Sequence, residues 1–303
     1  MNKLIAYLKA CRIEYFPAEI IGILIPFLLA KKLVINVAIM EALLVFFLLY
    51  WSGFLINSIS DIEVDKKYKN YVANAVEELG LNTAKIILIA QVFIALLLTF
   101  HISLQLSNAW IFIFVSIATF FGLAYSIKPF HFKIRGIFHA TLAFSAMFAP
   151  SIFLYYVING FPPFPIFLIM VALTITHYGI ALVNQSQDYI EDMETGLRTP
   201  AVRWGLAETL IIALILSIIG LMISFIGIWF FFNEAFFAIS CFIILIIAYY
   251  LPVRGIWHLI KICVKEREIK EKILRIKNML NYPIWQMSGI VGLLLISLLI
   301  FLM

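Results

Sequence analysis

Apolar runs of about twenty residues recur along the whole of this 303-residue chain, and they fix its class of fold before anything else is considered. A run of that length wound as a helix crosses the hydrocarbon of a bilayer with its backbone polar groups satisfied internally. Composition agrees. Hydrophobic residues make up 64% and charged residues 13%, where a soluble domain carries about 25% charged residues. Nine spans are expected, at about 16–32, 36–57, 82–102, 107–125, 136–157, 164–184, 207–229, 235–259 and 283–302. Lys31-Lys32, Asn159-Gly160-Phe161-Pro162-Pro163 and Asn281-Tyr282-Pro283 supply turn signals between them. The expected fold is an all-α polytopic membrane protein, about nine transmembrane helices bundled around a central cavity and capped by loops and short helices.

The loops alternate in charge. Those after spans 2, 4, 6 and 8 are long and basic, with Lys66, Lys67 and Lys69, then Lys128, Lys133 and Arg135, then Arg198 and Arg203, then the run from Lys261 to Lys277. Those between are short and carry little charge. The positive-inside rule puts the basic loops and the N-terminus in the cytoplasm, and an odd number of spans sends the C-terminus outside. The net charge of +5 is used up in orienting the chain, so it does not point to nucleic acid. The leading segment MNKLIAYLKACRIEYF reads as a basic amphipathic surface helix rather than a signal peptide. Cys11, Cys241 and Cys263 have no metal spacing and read as free thiols.

The acids are placed more selectively. Asn57, Asp61 and Asp65 follow one another at intervals of four, and so do Asn184, Asp188 and Asp192. In a helix each trio forms a ladder of oxygens on one face, roughly 12 Å long. The chain has four aspartates, and all four lie in these ladders. Both fall at the cytoplasmic ends of spans, after spans 2 and 6. The second half thus weakly repeats the first, with halves of about 1–135 and 136–260 and a final span, all within one domain covering 1–303. Two such halves packed about a common axis bring the ladders face to face.

Carboxylate and amide oxygens are hard ligands suited to Mg²⁺, which takes one or two protein carboxylates and fills its shell with water and phosphate. Six such ligands with lysine and arginine nearby describe a site for a diphosphate. The metal neutralises phosphate oxygens and stabilises the leaving group, while Lys66, Arg198 and other loop cations grip the remaining oxygens. A third element, AYSIKPFHFKIRG at Ala124–Gly136, sets Tyr125 against Lys128 and Lys133. It reads either as a Tyr and Lys pair closing over phosphates or as an interfacial tyrosine with topology-setting cations. His177, seven residues before Asn184 and so on about the same face, reads as a packed histidine or as a group that orients an acceptor. Glu19 and Glu41 lie inside spans and are weaker acceptor-side candidates.

With these residues in view, the chain resembles the UbiA superfamily of intramembrane prenyltransferases. NSISDIEVD at Asn57–Asp65 is similar to the family's N-D-x-x-D-x-x-x-D, with Ser58 in place of an aspartate. DYIEDMETG at Asp188–Gly196, continued by Arg198-Thr199-Pro200, is similar to its second motif. Tyr125-Ser126 with Pro129 and Lys133 is similar to Y-S-x-P-P-x-x-x-K, with Lys128 replacing a proline, and either lysine can serve as the phosphate ligand. The resemblance implies Mg²⁺-dependent transfer of a prenyl group from an isoprenyl diphosphate, such as geranyl or geranylgeranyl diphosphate, to a small aromatic or lipid acceptor in the cell membrane. Asp61, Asp65, Asp188 and Asp192 then act at the centre, metal ligation extends to Asn57 and Asn184, and Tyr125, Lys128, Lys133, Lys66 and Arg198 bind diphosphate. The main alternative is a cation-coupled transporter using the acids as ion sites, although such sites usually lie near the bilayer midplane. A CDP-alcohol phosphotransferase is excluded, because neither motif supplies D-x-x-D-G-x-x-A-R.

Overall fold

The structure is a computed structural model that describes residues 2–32, 36–232, 234–281 and 284–303, with the backbone alone at Pro17, Ala18 and Glu19. The Glu19 side chain, Tyr282 and Pro283 therefore lie outside the described residues. In chain order the helices are α1 (Lys3–Ala10), α2 (Phe16–Ala30), α3 (Val37–Ser60), α4 (Ile62–Tyr68), α5 (Asn70–Leu79), α6 (Leu81–Gln105) and α7 (Ala109–Ala124). After them come α8 (Gly136–Asn159), α9 (Phe164–Ser186), α10 (Tyr189–Glu194), α11 (Pro200–Trp204), α12 (Leu206–Phe231), α13 (Ala235–Lys265), α14 (Ile269–Leu280) and α15 (Ile284–Leu302). Among the described residues, eight helices are long and apolar enough to cross a membrane. The fourth expected span, α7, is helical but has 16 residues, a rise of about 24 Å. The chain is a multi-pass membrane protein.

Local chemistry sets the helix ends. Asn36 and Asn108 cap α3 and α7 by accepting from the backbone N–H of Ile39 and Trp110. Gly205 turns the chain between α11 and α12 with φ +102°, which an L side chain rarely adopts. Amphipathic α1 lays Ala6 and Ala10 into a cluster with Ala75, Val76 and Leu79 of α5. The expected surface helix from the charged run is α14, which buries Ile273, Ile276 and Leu280, exposes Lys270 and sends Lys277 to Glu191 at 2.7 Å. Cys11, Cys241 and Cys263 are buried, and no disulfide joins them. The membrane candidate Glu41 is engaged by His101 at 2.8 Å and by Gln105, and it does not line the cavity described below.

The helix carrying the second ladder, α9, is held by a seam of small residues. Ala213, Ser217, Gly220, Ser224 and Gly227 repeat every three or four residues along α12 and are all buried. A Cβ on Gly227 would meet the Pro165 carbonyl oxygen at 2.9 Å, and one on Gly179 would meet the Ala213 carbonyl oxygen at 3.1 Å. Helices in lipid gain little from the hydrophobic effect, so backbone approach of this kind is what holds them together. Gly227→Val should force α9 and α12 apart and destabilise the bundle by about 1–3 kcal/mol. Thermal melting in detergent, read by tryptophan fluorescence, checks this; a variant melting with the wild type would refute the seam.

Candidate functional site

Each ladder starts as the end of a long helix and turns at its middle residue. The chain runs α3 to Ser60, steps at Asp61 (φ −99°, ψ 8°) and resumes as α4. It runs α9 to Ser186 and steps at Asp188 (φ −91°, ψ 7°) into α10. The ladders are therefore not the unbroken helical faces expected from spacing: each is bent at its central aspartate. The four-residue hydrogen bonds survive the bend in the first ladder, Asp61 N–H to Asn57 O at 2.9 Å and Asp65 N–H to Asp61 O at 2.8 Å. In the second, Asp192 N–H reaches Asp188 O at 2.8 Å, while the Asp188 N–H donates to Gln185 O at 3.1 Å.

All six ladder residues line one cavity of about 820 Å³. Cations bind the two sides together across it. Lys69 Nζ lies 3.0 Å from Asp188 Oδ2 and 3.8 Å from Glu191. Lys67 pairs with Glu194 at 2.6 Å, and the Tyr68 hydroxyl donates to the same carboxylate. From the ladder end an apolar arm descends past Leu49, Phe46 and Val45 of α3, with Val115 and Ala118 of α7 and Phe153 of α8 on its other walls. Asn57 and Val45 are twelve residues apart on α3, so the arm is about 18 Å deep.

The loop between α7 and α8 distinguishes its two lysines. The Lys133 N–H donates to the Tyr125 carbonyl at 3.1 Å, so the loop doubles back and sends the Lys133 side chain to Asp61. Lys133 is 6% exposed, whereas Lys128 points outward. Ser126 donates to Asn57 Oδ1 at 3.1 Å and fastens the loop to the first ladder. Tyr125 lines the cavity with its hydroxyl 2.8 Å from His139 Nε2. Of the expected site residues, the structure gathers Asn57, Asp61, Asp65, Asn184, Asp188, Asp192, Tyr125 and Lys133. It does not gather Lys66, Lys128 or Arg198, which are exposed and do not line the cavity; Lys66 pairs instead with Glu63 and Glu77.

Lys69, Arg12 and Thr199 line the cavity and were not among the residues expected. Lys69 continues the first ladder by another four residues, a signal present in the spacing. Arg12 comes from the turn between α1 and α2, which a 2.8 Å hydrogen bond from Ser58 Oγ to the Ala10 carbonyl holds against α3. Its guanidinium stops 3.8 Å from Asp65 Oδ2, and both that oxygen and Arg12 Nε are buried without a hydrogen-bond partner. Thr199 donates to Asp192 Oδ2 at 2.7 Å.

Burial pushes the acids toward their neutral forms. Asp65 rises to about 6, with Arg12 and Lys69 opposing, and Asp192 rises to about 7, with the Thr199 hydrogen bond opposing. Burial also raises Asp188, against the pull of Lys69. Burial likewise raises the Tyr125 hydroxyl, so it stays protonated and able to donate. Among the described residues no group of three His, Cys, Asp or Glu side chains is arranged to hold a metal ion unaided. The oxygens fit a hard divalent ion that brings further ligands of its own: Asp65 Oδ2 is an orphaned acceptor, and the donor set is carboxylate and amide.

The model of the "UbiA prenyltransferase family" matches residues 20–259. Among solved structures, one described as concerning digeranylgeranylglyceryl phosphate synthase in membranes is 20% identical, with a TM-score of 0.64 over 97% of this chain and 99% of that one. A UbiA homolog from Archaeoglobus fulgidus bound to DMAPP and Mg²⁺ is 16% identical, with a TM-score of 0.58 over 95% and 98%. The same homolog bound to GPP and Mg²⁺ is 17% identical, with a TM-score of 0.57 over 95% and 99%. At these identities the likeness is one of fold. No curated protein matches the chain in sequence.

Raised carboxylate values fix the sign of a pH dependence. Asp65 and Asp192 hold protons below about 6 and about 7, and a divalent ion held by them would favour their ionised forms. Mg²⁺ affinity should therefore climb as pH rises from about 5.5 to about 7.5 and then level off, with proton release that fades above that range. Calorimetry in two buffers of different ionisation enthalpy measures both; affinity independent of pH would contradict the assignment.

Proposed function

Because the chain belongs to the UbiA prenyltransferase family, we propose that its paired ladders bind the head of an isoprenyl diphosphate with Mg²⁺ and transfer the prenyl group to an aromatic or lipid acceptor. The observation that carries this reading is the single cavity in which six oxygen ligands and three cations stand at the mouth of an apolar arm. Such a space suits a molecule with a charged head and a long hydrocarbon tail. The A. fulgidus homolog, bound to DMAPP or GPP with Mg²⁺, supports the same class of ligand.

Asn57, Asp61 and Asp65 on one side, and Asn184, Asp188 and Asp192 on the other, hold the metal. When bound, Mg²⁺ neutralises diphosphate oxygens and stabilises charge on the leaving group. Lys133, Lys69 and Arg12 contribute charge-assisted hydrogen bonds to the remaining oxygens, and Tyr125 donates from its neutral hydroxyl. These cations stand beside Asp61, Asp188 and Asp65, so the groups that grip the diphosphate and the groups that hold the metal face the same space. The bond from the allylic carbon to the diphosphate oxygen breaks, and its electron pair leaves with the diphosphate. The acceptor then gives an electron pair to that carbon and loses a proton to the departed diphosphate.

Phe46, Tyr50 and Phe54 form a continuous set of ring contacts along α3, and all three line the cavity. Their faces favour the developing allylic cation electrostatically without offering it a nucleophile. The apolar wall keeps water from capturing it. The alternation of loop charge supports a cytoplasmic ladder end. Family membership sets the transport alternative aside.

Asp61→Ala and Asp188→Ala should each lower transfer roughly 100-fold or more, since each removes a ligand felt most strongly as leaving-group charge develops. Lys133→Ala should cost on the order of tenfold or more, and Lys128→Ala less than about twofold. Turnover of labelled geranylgeranyl diphosphate against a panel of acceptors reads all four. Near-normal activity in either aspartate variant would remove that ladder from the site.

A further inference from the structure

The polar side chains on the cavity wall that have no task in diphosphate chemistry include Gln286 and His177. Gln286, in the first turn of α15, is 2% exposed, and neither its amide nitrogen nor its amide oxygen has a hydrogen-bond partner. His177 of α9 has a buried Nδ1 that is likewise unpartnered. Both line the cavity. Buried polar atoms are nearly always paired, and leaving them unpaired is costly. Gln286 lies outside the span of the family model, which ends at residue 259.

The two residues lie at one depth. His177 is seven residues before Asn184, hence on nearly the same face of α9 and about 10 Å further from the ladders. Its neighbour Thr176 shares a 2.6 Å hydrogen bond with Tyr249 of α13. The Tyr249 ring in turn faces Gly289 of α15, where a Cβ would come within 3.2 Å of it. Gln286 is about one turn from Gly289 on the ladder side, which sets its amide beside the His177 level. The cavity wall around them is Ile180 and Ala181 of α9 and Met287 of α15. The lining cations are committed elsewhere, Arg12 facing Asp65, Lys69 facing Asp188 and Lys133 facing Asp61.

We propose that Gln286 and His177 form the docking site for the acceptor, and that they take a neutral oxygen on it, the hydroxyl of a phenol or quinol ring. This rests on prenyl transfer at the ladders and specifies its second substrate. A hydroxyl both donates and accepts, which matches an amide carrying one group of each kind and an imidazole nitrogen. An anionic headgroup at this level would meet no countercharge and would be buried at a high cost. A two-oxygen ring held by its far hydroxyl extends toward the ladders and presents its near edge to the carbon attached to the diphosphate.

The test uses the full chain in nanodiscs with Mg²⁺ and geranylgeranyl thiolodiphosphate, a non-transferring analogue, and 1,4-dihydroxynaphthalene as the acceptor probe. The wild type binds both. Gln286→Leu and His177→Phe each weaken binding of the probe on the order of tenfold, and leave that of the analogue within about twofold. Gln286→Leu replaces an unpaired amide with an apolar group of similar size, so its thermal midpoint does not fall, and lost ring binding is not lost folding. Unchanged probe affinity in both variants overturns the proposal. So does a wild type that binds an alkyl glyceryl phosphate and not the ring. Failure of the analogue itself to bind with Mg²⁺ instead overturns the ladder reading beneath it, and the two failures are read on different ligands.

Discussion

The structure depends on keeping acidic groups from both halves of an apolar bundle together in one cavity. Four aspartates share that cavity, and burial raises Asp65, Asp188 and Asp192. Carboxylates taken out of water without partners would force the ladders apart or into their neutral forms. The Lys69–Asp188 and Lys133–Asp61 contacts offset this, and the first of them runs from the first ladder's own helix end to the second ladder. Exposed ion pairs are worth about 0–1 kcal/mol, but partly buried ones that match a charge otherwise stranded have more to lose. The cations that tie the two ladders together are the ones a diphosphate would recruit.

The rest of the bundle positions those groups. Small residues on α12 let α9 approach to backbone contact, which fixes the second ladder laterally. The Ser58–Ala10 and Ser126–Asn57 hydrogen bonds bring the N-terminal turn and the loop before α8 onto the first. The bends at Asp61 and Asp188 have nearly the same dihedral angles, so two different stretches of sequence solve the same geometric problem in the same way. Below the ladders, the apolar arm and the Gln286 and His177 wall give the cavity chemically distinct regions.

Spacing and hydropathy revealed the spans and the six ladder residues, because both are periodic properties of a helix. They failed where side-chain direction is set by a break in the helix. Lys66 follows Asp65 directly and so points about a quarter turn away, to Glu63 and Glu77, while Lys69 sits four residues on and reaches into the cavity. Extending the ladder by one more interval would have found it. Lys128 and Lys133 could not be told apart by spacing, because the choice rests on how the loop folds back onto Tyr125. Arg198 yields to its neighbour Thr199 for the same reason. Arg12 and Gln286 are distant in sequence from both motifs, and only packing brings them to the cavity wall.

The central claim is that one diphosphate is held jointly by both ladders. A structure of the protein with Mn²⁺ and geranylgeranyl thiolodiphosphate tests it most directly, because anomalous scattering locates the metal independently of the ligand. The account predicts metal density at Asp61 and Asp65 and also at Asp188 and Asp192, with a single diphosphate bridging the two and its tail in the arm beside Phe46. Metal at one ladder alone, or a diphosphate bound outside the space between them, would contradict it.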